Sequence, residues 1–244
     1  MSRNREAGNS SAGPIPTDNV PGMPGTLALV GGAEWRGGCD FDRDLLEASG
    51  ADEVLVLPTG AAFEQPERTV EAATRWFAEL GVDVRPHRVL TRPDALDPAN
   101  VGPIEDAAFV YLAGGSPMHL RMVLKDSPVW EALVGAWRRG ATLAGTSAGA
   151  MVLCDPMVDP RGGALTLGLG LLTQLAVIPH HDTWSEDKAK RTIKIAPQGL
   201  PLVGIDERTA LLRAPDGTWS AAGAGSVTVY LDHEPADLGA LPQP

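Results

Sequence analysis

The sequence has few cysteines, no long apolar run and a shortage of basic residues, and each lack excludes a class of protein. Its 244 residues include only Cys39 and Cys154, which cannot form a disulfide framework. They predict two reduced, mostly buried thiols in a cytoplasmic protein. No run of about 18 apolar residues occurs, so no membrane span is expected. The first residues carry two arginines but no apolar segment follows them, so no secretory signal is expected.

The charge balance narrows the choice of partners. Lysine and arginine together number 20 and aspartate and glutamate 31, which gives a net charge of −11 at pH 7. Nucleic acids and anionic membranes bind basic surfaces, so neither is expected as a partner. The sequence leaves the oligomeric state open and is compatible with a homodimer.

The composition changes once near the start of the chain. Residues 1–25 are rich in Gly, Ser, Asn and Pro and are predicted to form a disordered arm. Hydrophobic residues make up 43% of the chain, enough for a core, and residues 26–232 are predicted to form one domain. Residues 233–244 are predicted to be a tail.

Strands and helices alternate along the predicted domain. The apolar runs and helical spacings predict four strands and three helices before residue 140: strands at 27–30, 53–57, 82–90 and 108–112, and helices at 67–80, 118–125 and 128–139. Shorter strands, some antiparallel, are expected at 177–178, 201–205, 209–213 and 226–231. This order predicts an α/β fold with a doubly wound, mostly parallel sheet flanked by helices. Ligands bind such sheets at the carboxyl ends of the strands, where Gly31-Gly32 and Gly114-Gly115 fall.

The most informative motif is the pentapeptide Gly145-Thr146-Ser147-Ala148-Gly149. It is a G-x-S-x-G sequence between an apolar strand and a short apolar segment, the layout of a nucleophile elbow. The flanking glycines let the backbone turn sharply enough to present the Ser147 hydroxyl at the end of the strand. The sequence therefore predicts Ser147 as a nucleophile.

A serine nucleophile needs a base and a carboxylate that orients the base. His180 follows the apolar run 176–179, where a base is expected, and His181 stays open as the alternative. Asp159 is the first choice for the carboxylate because it lies between the elbow helix and the histidine strand. Asp155 and Glu207 remain open.

Backbone amides are expected to stabilise the oxyanion. The Gly114-Gly115 pair after the fourth strand lets an amide approach the developing charge, together with the amide of Ala148.

Several short segments, taken in their order along the chain, resemble those of a known family. They are Val30–Glu34, Leu57–Thr59, Ala113–Gly115, Gly145–Ala150, Pro179-His180 and Gly204–Leu211. Together they resemble the cyanophycinase and aspartyl dipeptidase (peptidase E) family of serine peptidases over about residues 26–231.

The resemblance implies a fold, an activity and a set of site residues. The fold is class I glutamine-amidotransferase-like. The activity is metal-independent hydrolysis of a small aspartyl or isoaspartyl peptide through an acyl-enzyme, with no cofactor. Ser147 is implied as nucleophile and His180 as base, with the amides of Gly115 and Ala148 as oxyanion donors.

The sequence departs from the cyanophycinases around the implied site. Ser116-Pro117 replaces Asp-Gln after the glycine pair, and Pro179 replaces the glutamine before the histidine. A small dipeptide is therefore expected as substrate rather than the cyanophycin polymer. Ser116, Glu207, Lys188 and Arg191 are candidate substrate-binding residues, the two basic ones as carboxylate anchors; Lys190 is a third candidate anchor.

Two other functions fit parts of the sequence. An α/β-hydrolase esterase would use Ser147, Asp206 and His233 in that order. A non-catalytic binding protein could retain the fold without the reaction. No dinucleotide or phosphate-loop motif is present. His180-His181-Asp182 are adjacent and cannot all face one ion, so no metal site is expected.

Overall fold

The computed structural model describes residues 23–242. The arm predicted for residues 1–25 lies almost wholly outside this range. The described chain contains the strands β1 Leu27–Val30, β2 Glu53–Leu57, β3 Asp83–Pro86, β4 Phe109–Leu112, β5 Thr142–Thr146, β6 Met157–Val158, β7 Leu165–Thr166, β8 Ala176–Pro179, β9 Leu202–Ile205, β10 Thr209–Arg213, β11 Trp219–Gly223, β12 Val227–Leu231 and β13 Glu234–Ala236.

Eight helices lie between the strands of the described chain, seven of them before residue 154. They are α1 Phe41–Ser49, α2 Pro66–Glu79, α3 Arg92–Leu96, α4 Gly102–Glu105, α5 Pro117–Leu124, α6 Pro128–Arg138, α7 Ala148–Leu153 and α8 Glu186–Ile195. Hydroxyl caps fix the starts of four of them, α3, α5, α6 and α8; in α5 the Ser116 Oγ accepts from the amide of His119, and in α6 the Ser127 Oγ accepts from that of Trp130. No helix in residues 23–242 combines the length and the apolar character of a membrane span.

The main sheet has seven strands in the order β11-β10-β1-β5-β4-β2-β3. The five from β1 to β3 are parallel, whereas β10 and β11 run antiparallel to their neighbours. Side chains of β1 alternate between two hydrophobic clusters, Leu27 and Leu29 in one and Ala28 and Val30 in the other. Both faces of the sheet are therefore covered, which confirms the predicted α/β class.

A second sheet was not predicted as a separate unit. It has the order β13-β12-β9-β8, in which β8 and β9 are parallel and the other pairs antiparallel. The chain leaves β9 in this sheet and enters β10 in the main sheet after only residues 206–208. That short connection joins the two sheets.

The segment after residue 232 differs from the predicted tail. Residues 234–236 form β13 on the edge of the second sheet, and Leu241 is buried in the main hydrophobic cluster. The predicted strand at 82–90 is also shorter than expected, because the chain turns away after Pro86.

Candidate active site

The carboxyl ends of three adjacent strands, β1, β5 and β4, form the edge that carries the candidate site. They lead into Gly31-Gly32, Ser147 and Gly114-Gly115, respectively. The sequence had placed these segments at a ligand-binding edge, and the strand order brings them together there.

Ser147 occupies a sharp turn between β5 and α7. Its φ of 49° and ψ of −107° are unusual for a residue with a side chain and cost about 1–3 kcal/mol of strain. The Ser147 amide donates to the carbonyl of Val30 at 2.8 Å, which holds the turn against β1. A Cβ on Gly149 would lie 2.4 Å from the carbonyl oxygen of Leu112, so the helix can start this close to β4 only with glycine there.

His180 contacts the hydroxyl of Ser147. It follows β8, and its amide donates to the carbonyl of Gly31 at 2.7 Å. Its Nε2 lies 2.9 Å from Ser147 Oγ. The ring packs over Gly32, where a Cβ would lie 2.1 Å from His180 Cε1. Glycine at this position therefore makes the space for the imidazole.

Glu207 contacts the other nitrogen of the same imidazole. Its Oε1 lies 2.9 Å from His180 Nδ1, and both side chains are about one third exposed. The Glu207 amide donates to Asp182 Oδ1 at 3.0 Å, which fixes the connection between the sheets. A carboxylate that accepts Nδ1–H leaves the Nε2 lone pair facing Ser147 Oγ. This arrangement can take the proton of an attacking hydroxyl.

The pairing of β8 with β9 explains why Glu207 reaches His180. The two strands are parallel, and Pro179 lies opposite Ile205 at their ends. Residues 180–181 and 206–207 therefore leave the sheet side by side. Two histidines face two carboxylates, with His181 Nδ1 lying 3.5 Å from Asp206 Oδ1.

Asp159, the first-choice carboxylate, is placed elsewhere. The chain after α7 folds back as the β6–β7 hairpin, and Asp159 forms a forked pair with Arg161 at 2.9 and 2.7 Å. These hydrogen bonds lower the pKa of Asp159 to about 2. Asp155, the second alternative for the carboxylate, accepts from the amide of Gly168 at 3.3 Å. Glu207, named in the sequence analysis as an alternative, is the carboxylate on His180.

The glycine pair after β4 lies beside the serine. A Cβ on Gly114 would be 3.5 Å from Ser147 Cβ, and Gly115 has a φ of 120° that favours glycine. Within residues 23–242, neither the Gly115 nor the Ala148 amide donates a hydrogen bond to another protein group. Both are free to donate to a ligand.

The remaining candidate substrate residues do not meet at the serine. Ser116 uses its hydroxyl to cap α5. The ammonium of Lys188 lies 3.6 Å from the centre of the Trp184 ring, and Arg191 packs beside Gly163. Neither basic residue lines the cleft that holds Ser147 and His180.

Sequence reasoning missed several residues that do line the cleft. Its part next to the serine has a volume of about 250 Å³ and is bordered by Glu34, Glu64 and Thr69. Arg36 and Arg68 line the adjoining part, which also contacts His180. Glu34 had a sequence signal, because it lies two residues after the glycine pair at the end of β1. The two arginines lie in a loop and on α2 and had none.

The alternative esterase residues are not assembled. His233 Nε2 lies 3.0 Å from the carbonyl oxygen of Ala196, and Asp206 pairs with His181. His181 also contacts the hydroxyl of Tyr230 at 3.2 Å. In the described part of the chain, no group of three or more His, Cys, Asp or Glu residues is arranged to hold a metal ion.

Comparisons with known proteins match this chain to peptidases and cyanophycinases. The family model Peptidase family S51 matches residues 27–218. A cyanophycinase from Trichormus variabilis is 29% identical over 225 residues, 87% of this chain and 74% of its own. A peptidase E from Citrobacter koseri is 28% identical and covers 63% of this chain and 65% of its own. The crystal structure of a peptidase from an acI-B1 Actinobacterium superposes with a TM-score of 0.76 at 33% identity, over 86% of this chain and 91% of that one.

Proposed function

The chain belongs to peptidase family S51, and on that premise we propose that it is a metal-independent serine peptidase with Ser147 as its nucleophile. The family resemblance drawn from the motifs is confirmed by this membership, which supports a peptidase. The observation that carries the finer proposal is the hydrogen-bonded series from Ser147 Oγ through His180 to Glu207, with 2.9 Å at each contact.

The proposed reaction begins with proton transfer. His180 Nε2 takes the hydroxyl proton as Ser147 Oγ attacks the carbonyl carbon of the substrate, and Glu207 stabilises the resulting imidazolium. Positioned base catalysis of this kind contributes about 10²–10⁴-fold. The carbonyl oxygen becomes an oxyanion, which accepts from the amides of Gly115 and Ala148. Each such donor is typically worth about 3–4 kcal/mol of the barrier.

The reaction then passes through an acyl-enzyme. His180 returns its proton to the leaving amine, the peptide C–N bond breaks, and Ser147 retains the acyl group as an ester. A water molecule next loses a proton to His180 and attacks the ester carbonyl. Ser147 leaves with the proton from His180, which restores the free enzyme.

The proposed substrate is a small aspartyl or isoaspartyl peptide. The family resemblance drawn from the motifs implies this class, and two arginines of the cleft support it from the site. Arg36 and Arg68 line its outer part, and among the described residues neither guanidinium forms an ion pair with a carboxylate. Guanidinium groups bind carboxylates with two parallel hydrogen bonds. They replace Lys188 and Arg191 as the proposed anchors of a substrate carboxylate.

Labelling with a fluorophosphonate tests the nucleophile without knowledge of the substrate. We expect the wild-type protein to be labelled once, and Ser147→Ala to remain unlabelled. Ser226→Ala removes an exposed serine outside the cleft and should leave labelling unchanged. Hydrolysis of an aspartyl dipeptide panel in the presence of EDTA tests the substrate class and the metal independence. A folded wild-type protein that is neither labelled nor active on the panel would favour the non-catalytic binding protein.

A further inference from the structure

Glu34 is held beside the nucleophile. It follows the glycine pair after β1, and its Oε2 accepts a hydrogen bond of 2.9 Å from Thr146 Oγ1. Thr146 is the residue before Ser147 and is fully buried, so it fixes the carboxylate relative to the elbow. The other oxygen, Oε1, lies 3.7 Å from the position that a Cβ would take on Gly114, and Ser147 Cβ lies 3.5 Å from the same position.

This carboxylate forms no ion pair in the described part of the chain, although it lines the outer part of the cleft together with Arg36 and Arg68. The ion pairs there involve other acidic residues. The groups packed behind it add no positive charge. Burial raises the pKa of Asp42 well above its usual value, and the charge of Glu34 raises it further. A half-buried carboxylate that is bound by a single hydroxyl and faces a cleft is suited to a cation from outside.

The position of Glu34 limits where that cation can be on a substrate. The attacked carbonyl carbon must contact Ser147 Oγ, while its oxygen faces the amides of Gly115 and Ala148. In an α-linked peptide one atom separates the amino nitrogen from the attacked carbonyl carbon, and in a β-linked aspartyl peptide two atoms do. Bonds of about 1.5 Å place that nitrogen within a few ångströms of the carbonyl in both cases.

We propose that Glu34 binds the free α-ammonium group of the residue whose carbonyl Ser147 attacks, so that the enzyme acts on peptides with an unblocked amino terminus. This inference rests on the proposed function, since it takes Ser147 as the nucleophile. An acylated nitrogen carries no charge and would leave the carboxylate desolvated without a cation, which is unfavourable. Glu34 is thereby a specificity residue that selects short, amino-terminal substrates over the interior of a polymer.

A matched pair of substrates tests the selection. The N-acetyl derivative of the dipeptide Asp-Leu lacks the positive charge of the amino group and carries an added acetyl group; because wild type and variants meet the same added group, a change in preference between them reports on the charge. We expect the wild type to prefer Asp-Leu in kcat/KM by at least about tenfold, which corresponds to about 1.4 kcal/mol. In Glu34→Gln, which keeps the size of the side chain and an acceptor for Thr146, the preference should fall towards one through a higher KM for Asp-Leu.

Two further variants separate the role of Glu34 from general effects of charge and folding. Thr146→Val retains the carboxylate but removes its hydrogen bond, and should reduce the preference by less than Glu34→Gln does. Glu71→Gln removes one negative charge from an exposed position on α2 outside the cleft and should leave the preference unchanged.

The outcomes distinguish this inference from the proposed function. A labelled wild type without a preference for the free amine, or a Glu34→Gln variant that keeps the full preference, would overturn the role of Glu34 alone. A wild type that is neither labelled nor active overturns the proposed function, and the inference with it.

Discussion

Replacing Glu207 by glutamine tests whether this carboxylate, rather than Asp159, which the sequence favoured, serves His180. The change removes the negative charge 2.9 Å from His180 Nδ1 and keeps the shape of the side chain. The charge matters when His180 becomes an imidazolium. Two unit charges about 4 Å apart attract by about 4 kcal/mol at an effective dielectric constant of 20 and by about 1 kcal/mol in water.

Because His180 and Glu207 are partly exposed, we expect the attraction that the substitution removes to lie between these two values. Both side chains are about one third exposed, so solvent screens part of the attraction. A loss of about 2–4 kcal/mol corresponds to about 30- to 1,000-fold in kcat/KM. Asp159→Asn is the matched change, because it removes a carboxylate that pairs with Arg161 away from the cleft. It should alter kcat/KM by less than about threefold, because Asp159 does not line the cleft that holds Ser147 and His180.

Two assays report on this comparison. Steady-state hydrolysis of an aspartyl dipeptide gives kcat/KM, and the second-order rate of fluorophosphonate labelling measures the reactivity of Ser147 without a substrate. Circular dichroism checks that both variants fold. Glu207 is not the carboxylate that serves His180 if Asp159→Asn loses as much activity as Glu207→Gln, or if Glu207→Gln retains wild-type rates in both assays.

Three other predictions concern the surroundings of the site. Burial raises the pKa of Asp42, so the free energy of unfolding of the wild type falls as the pH rises above about 4, the pKa of this carboxyl in the unfolded chain. Asp42→Asn has no ionisable group there, so the difference in its favour, measured by urea unfolding, should grow from pH 5 to pH 8. Gly32→Ala places a methyl group against the His180 ring and should slow labelling of Ser147 by about 100-fold or more. His180→Gln should abolish labelling, whereas His181→Gln, away from the hydroxyl, should retain at least about a tenth of the rate; equal losses would contradict the assignment of the base.

Local patterns allowed much of the fold and one part of the site to be predicted. β1 and β10 begin and end where the apolar runs indicated, and α6 differs from its prediction by one residue. Ser147 could be found because the strand, the small-residue turn and the helix that position it are contiguous in the sequence. The glycine pair after β4 was found for the same reason.

Local sequence patterns could not identify Glu207 as the carboxylate that contacts His180. The contact between His180 and Glu207 depends on the parallel register of β8 and β9, in which Pro179 lies opposite Ile205. No local pattern reports that register, and chain order favoured Asp159 because it precedes the histidine. The second sheet was missed for a related reason, since its short strands pair across long stretches of sequence.

The division of the site between two sheets has a consequence for how reactivity arises during folding. Ser147 follows a strand of the seven-stranded sheet, His180 follows a strand of the four-stranded sheet, and Glu207 lies in the connection between the two sheets. Contacts between residues far apart in the chain require costly loop closure and tend to form late. In refolding from urea, labelling of Ser147 should therefore recover after the far-ultraviolet signal of the secondary structure. The rate at which labelling of Ser147 recovers then measures how fast one sheet docks onto the other.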